Sequence, residues 1–149
     1  MKFYVILGVS LLLLWGCGTD SHVRKAKADA NSFLKNIRNT EQLMLHPMVE
    51  SQDLPASVAR ENKKRNFENF KASVNQLCGE SSDFKLVNTE KKTDTDLGEL
   101  IFLEYEYCKA ITIVMGYTQK ADGVILYSIW PMNKDDRPAD LFDKGKLWD

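Results

Sequence analysis

The chain opens on Lys2 and a 13-residue apolar run, Phe3 to Trp15, followed by Gly16-Cys17 and the polar Gly18-Thr19-Asp20-Ser21. That length suits the h-region of a secretory signal, with Lys2 as its basic start; a membrane-spanning helix needs about 20 residues. From Val23 the spacing changes. Val23, Ala26, Ala30, Phe33, Leu34 and Ile37 fall on one helical face, opposite Lys25, Lys27, Asp29, Lys35 and Arg38. The pattern predicts an amphipathic, core-facing helix of about 18 residues capped by Asp20 or Ser21. A shorter apolar piece, Leu43-Met44-Leu45, ends near Pro47, because the residue before proline avoids helical backbone. Asp53 can cap a third helix with Pro55 in its first turn. This helix starts with Ala56, Val58 and Ala59, turns polar from Arg60 to Asn66, and resumes a stripe at Phe67, Phe70, Val74 and Leu77. The polar middle is compatible with a kink. Gly79 is a natural left-handed stop.

Beyond Asp83 the period is two. Strands are predicted over Phe84–Lys91, Leu100–Tyr107, Ile111–Tyr117 and Val124–Trp130. Thr93-Asp94-Thr95-Asp96, Cys108-Lys109-Ala110 (a tight turn or a bulge) and Ala121-Asp122-Gly123 separate them, and Pro131 is read as the stop. Connections this short require antiparallel neighbours. Helices first and a four-stranded meander after them give an α+β fold, with the helices packed on one face of a curved sheet. Asn133 to Asp149 reads as a polar tail with a short helical turn at Ala139 to Asp143.

Leu14-Trp15-Gly16-Cys17 resembles the lipobox of bacterial lipoprotein precursors. Leu14, Gly16 and Cys17 match the family pattern; Trp15 is bulkier than the usual residue there. The resemblance implies cleavage before Cys17 and attachment of a diacylglycerol and an N-acyl chain (palmitate or similar) to it. At about 0.8 kcal/mol per buried CH₂, two or more chains hold a protein on a membrane. The implied location is the bacterial cell envelope. Gly18 rather than Asp after Cys17 favours the outer membrane, facing the periplasm, in a Gram-negative host. The chain then divides into a signal peptide, 1–16, a lipidated tether, 17–22, an α+β domain, 23–132, and a tail, 133–149.

The mature 133 residues suffice for one domain with a real core. Cleavage removes only Lys2 among the charges, leaving 19 basic and 21 acidic residues, and this balance offers no basis for recruiting nucleic acid. With Cys17 acylated, Cys78 and Cys108 remain as an even pair in an oxidising compartment, where a disulfide is expected and two buried thiols are the alternative.

The order of elements also resembles the NTF2-like (cystatin-like cone) superfamily. The resemblance rests on Ala30-Asn-Ser-Phe33-Leu34 with Ile37, on Leu77-Cys-Gly79, and on the closing hairpin Gly116 to Trp130 around Asp122-Gly123. It implies a cone whose concave side encloses a pocket. Glu104-Tyr105-Glu106-Tyr107 would then present either two carboxylates or two phenols to that pocket. A desolvated carboxylate there could serve as a general base; the ordinary arrangement instead places Glu on the solvent face and Tyr in the core.

Catalytic sets are otherwise scarce. The two histidines are His22, in the tether, and His46, before Pro47, read as a surface or capping residue. They build neither a nucleophile triad nor a zinc site. No cofactor and no metal is expected. Thr93 to Asp96 lacks the Gly and terminal Glu of a calcium loop. Three functions stay open: a non-enzymatic envelope protein binding a small ligand or a protein; an inhibitor or immunity lipoprotein against a toxin or lytic enzyme; and a small enzyme using Glu104 or Glu106.

Overall fold

A computed structural model describes residues 20–49, 54–121 and 123–138. Three helices precede one antiparallel sheet. Helix α1 spans Ser21–Lys35. The Asp20 side chain accepts from the His22 backbone N–H at 2.9 Å, satisfying one of the donors a helix start leaves open. Lys91 Nζ lies 2.6 Å from the same carboxylate, and these two contacts hold the Asp20 carboxyl below its usual range. Ser21 and His22, expected in the tether, therefore form the first turn of α1. Val23, Ala26, Ala30, Phe33 and Leu34 are buried along its length, and Ile37 is buried just beyond it. Each large member of that stripe contributes roughly 1.5–3 kcal/mol by leaving water.

Helix α2, Thr40–Leu45, is capped by Asn39, whose side chain accepts from Gln42 N–H at 3.2 Å. Helix α3, Ala56–Cys78, runs unbroken through the polar stretch where a kink was expected. Arg60 to Asn66 continue it because a helix half in water needs only a narrow apolar stripe, here Phe67, Phe70 and Val74. Leu77, expected on that stripe, is exposed. Pro55 holds the N-cap position without a side-chain cap, and Asp53 lies outside the described residues. Gly79 ends the helix at φ 55°, the left-handed backbone that glycine adopts most readily.

The strands are β1 (Phe84–Asp94), β2 (Gly98–Tyr107), β3 (Ile111–Lys120) and β4 (Gly123–Asn133). They form one antiparallel sheet in the order β1-β2-β3-β4. Asp94 Oδ1 accepts from Asp96 and Leu97 N–H at 2.8 and 2.9 Å, so the acidic stretch is a turn built on its own carboxylate. Pro131 does not stop β4. It pairs opposite Ile113, and β4 is an edge strand, where a missing N–H costs no ladder bond.

The inner face carries Ile101, Leu103, Tyr105, Tyr107, Ile113, Met115, Tyr117 and Leu126, all buried in one core with α1 and α3. This face of the sheet is covered by that packing. The outer face is not simply a solvent face. Leu100, Phe102 and Val114 form a second buried cluster, with Trp130 and Met132 packed against it. Gly116 lies in this layer because a Cβ there would stand 3.0 Å from the Phe102 ring and 2.5 Å from Ser128 Oγ.

The turn between β2 and β3 holds Cys108 at φ 48° and Lys109 at φ 66°, and Ala110 N–H donates to Tyr107 O at 3.2 Å. Two successive positive φ values define a type I′ hairpin turn. Cys108 and Cys78 stand at disulfide distance, their Cα atoms 5.5 Å apart, which links the end of α3 to this turn. The helical turn expected at Ala139 to Asp143 lies outside the described residues.

Closing a loop over a separation of 30 residues is worth about 3.5 kcal/mol in the chain-entropy account. Replacing both Cys78 and Cys108 by serine should therefore lower the denaturation free energy of the oxidised protein by about 3 kcal/mol in a urea titration. Equal stabilities for the two proteins would mean that the thiols are unpaired in solution.

Candidate functional site

Glu104-Tyr105-Glu106-Tyr107, of which one pair would line a pocket if the sheet enclosed one, take the ordinary alternation instead, phenols in the core and carboxylates on the other face. Tyr105 and Tyr107 point into the filled core. Tyr105 OH donates to Asn31 Oδ1 at 3.2 Å, and the Tyr107 ring stacks 6.2 Å from that of Phe84. Glu104 and Glu106 point to the opposite face, where each meets cations. Glu104 is 5% exposed and receives both Nε and Nη2 of Arg137, the latter at 2.9 Å. Glu106 lies between Lys134 Nζ at 2.5 Å and Lys85 Nζ at 3.0 Å, and hydrogen bonds from these two ammonium groups hold its carboxyl below the usual range. A base held between two lysines has its carboxylate stabilised, the reverse of the raised pKa expected for a pocket acid. None of the grooves described on the surface includes Glu104, Tyr105, Glu106 or Tyr107. Cys17 lies outside the described residues.

An apolar hollow lies outside the sheet, between α3 and the segment that follows α2. It measures about 590 Å³, within the range of small-ligand sites. Met44, Leu45, Met48 and Val49 form one wall, Leu54 closes an end, and Ala56, Ala59, Lys63 and Phe67 of α3 form the floor. The floor explains the hollow. Positions 56, 59, 63 and 67 share one helical face, and the first two are alanines where the second half of the helix has Phe67, Phe70 and Val74. α3 therefore packs at its C-terminal half and leaves space at its N-terminal half. Leu45 is 76% exposed, and Val49 and Leu54 are also exposed at the hollow; Val58 is exposed on α3.

The wall is held in place by a polar network that joins all layers. His46 follows α2 as its C-cap, yet its ring is nearly buried, edge-on to Phe33 at 5.1 Å. His46 Nε2 lies 2.8 Å from Asp29 Oδ2 on α1. Tyr117 OH, on β3, donates to the same oxygen at 3.0 Å. On the other side Lys63 Nζ donates to the His46 and Met44 carbonyls at 3.0 and 3.3 Å, a favourable placement of a cation at a helix C-terminus. The ammonium also stands 5.9 Å over the Phe67 ring. Val49 N–H then donates to Leu126 O at 2.9 Å, tying the segment to β4 through the Met48–Leu126 bridge. Met44 to Val49 is thus a strap fastened to α1, α3 and the sheet.

The network of Asp29, His46, Lys63 and Tyr117 was not foreseen from the sequence; His46, read as a surface or capping residue, does cap α2 but is nearly buried. The available signal was the pair of alanines at helical spacing on an otherwise bulky stripe. Among the described residues no three His, Cys, Asp or Glu side chains gather as a metal-binding set. Compared with known protein families, with curated proteins and with solved structures, the chain matches none.

Burial raises both core phenols that anchor this region. Tyr105 is pushed up to about 12, and Tyr117 is pushed higher by burial and by the adjacent Asp29 carboxylate. The folded protein keeps protons that the unfolded chain releases near pH 10, so stability is full below about pH 10 and falls as pH rises toward 12. Phenolate absorbance should therefore rise late and together with loss of circular dichroism, and Tyr105→Phe should soften the alkaline decline. Ionisation of every tyrosine near pH 10 in a still-folded protein would contradict this account.

Proposed function

We propose that this chain is a bacterial envelope lipoprotein, anchored through acyl chains on Cys17, whose α+β domain has an NTF2-like shape and binds a small apolar ligand or a protein partner without catalysing a reaction. The observation that carries the binding reading is the hollow of about 590 Å³ between the strap and α3, apolar on its walls and reinforced by hydrogen bonds from three directions. A site of fixed shape binds without first ordering its own chain, which removes a cost from association. The anchoring rests on Lys2, the apolar run and Leu14-Trp15-Gly16-Cys17. The NTF2-like shape rests on three helices ahead of a four-stranded meander with α1 across its inner face. In this reading the ligand lies beside the sheet, because the inner face of the sheet is covered. The exposed Leu45, Val49 and Leu54 support a second reading, in which a protein covers the same region and the chain acts as an envelope inhibitor or immunity protein.

Two measurements address the two halves. Growth with labelled palmitate should mark the wild type and leave Cys17→Ala unmarked; equal labelling would remove the anchor. A polarity-sensitive apolar dye should brighten on the purified mature protein and fail to do so on Ala59→Trp, whose indole fills the floor while the circular dichroism spectrum is retained. Unchanged brightening on a folded Ala59→Trp would place the binding surface elsewhere.

A further inference from the structure

We infer that the hollow takes a single-chain amphiphile with an anionic head, a long-chain carboxylate, its tail along α3 and its head at Arg60. This inference rests on the binding reading above and narrows it to one ligand class. The floor, Ala56 to Phe67, is about 16 Å long at 1.5 Å rise per residue, within the continuous helix α3. That is a trough for an extended chain rather than a chamber for a ring system. Two of its walls are methionines, Met44 and Met48, whose unbranched thioether side chains adapt to a flexible tail.

Charge selects the head. The charged residues among the described lining of this hollow are Arg60 and Lys63, and no carboxylate stands among them. The adjoining depression, which shares Met44, Leu45 and Arg60 with the hollow, differs: it mixes Arg60 and Lys64 with Glu41 and Glu61. The two cations have separate duties. Lys63 donates to the strap carbonyls of Met44 and His46 and stands over the Phe67 ring, so it keeps the wall upright. Arg60, one turn earlier on the same helical face, is exposed at the rim. Its planar guanidinium can match a carboxylate with two parallel hydrogen bonds, and a methylene stem of this kind can cover apolar surface.

The test uses the full mature protein loaded with the apolar dye, displaced in turn by dodecanoate, dodecanol and dodecylamine, all below micelle formation. Dodecanoate should displace the dye at a concentration at least about tenfold lower than dodecanol, tenfold being the value of a single charge-assisted hydrogen bond at an exposed rim. Dodecylamine should be the weakest. Arg60→Gln should erase the preference for dodecanoate over dodecanol, Arg60→Lys should restore part of it, and added salt should shrink it. Equal affinities for dodecanoate and dodecanol in the wild type, or an undiminished preference in Arg60→Gln, would overturn the anionic assignment and leave the hollow as a binding site. Failure of all three amphiphiles to displace a dye that does bind would overturn the amphiphile and keep the hollow. A wild type that brightens no dye at all would take both readings down together.

Discussion

The packing of α1 across the inner face of the sheet governs the rest of the structure. Ala26 and Ala30 are fully buried and let the helix backbone approach the strands closely, while Phe33 and Leu34 fill the space farther along. Interiors packed to crystal-like density have no room for a ligand. The inner face of the sheet is therefore spent on stability, and any recess must form where a later element meets this core less completely. That element is α3, which contributes Phe67, Phe70 and Val74 to the core and only alanines before them.

The strap shows how the short segment leaving the end of α2 is held in place. Met44 to Val49 has few ladder bonds of its own, so its polar groups are satisfied from outside: a carboxylate of α1 meets the imidazole, an ammonium of α3 meets two carbonyls, and a carbonyl of β4 accepts an amide. Each contact is modest in net energy, roughly 0.5–1.5 kcal/mol for a neutral bond and more with a charge. Together they come from three elements that already belong to the core. The strap thus inherits the rigidity of the core without being buried in it.

The periodicities of α1 and of the strands are legible because each buries one face, and one-faced burial prints directly on the sequence. The outer sheet layer is legible only in part. Leu100-Ile-Phe-Leu103 is a continuous apolar run, the mark of a strand covered on both faces, yet Glu104 and Glu106 restore an alternation that masks it. Arg137, the partner that makes a buried Glu104 tolerable, lies 33 positions away in what reads as a tail. Asp29 and His46 pair across 17 positions through a turn-back after α2 that no local pattern encodes. Pro131 inside β4 is legible only when the strand is known to be an edge. The hollow itself is the hardest to read, since it is a matter of small side chains where large ones would also have suited the helix.

The two edges of the sheet carry a further consequence. β4 contains Pro131, and Met48 occupies part of its rim at Leu126. β1 is interrupted by an irregularity between Leu86 and Asn88, and Lys85, Lys91 and Lys92 lie along it. An edge that is smooth and apolar recruits strands from neighbouring chains. Here both rims are broken, one by a missing donor and a docked segment, the other by a register irregularity and a row of charged side chains. Copies of this domain can accordingly crowd side by side without their sheets fusing into one.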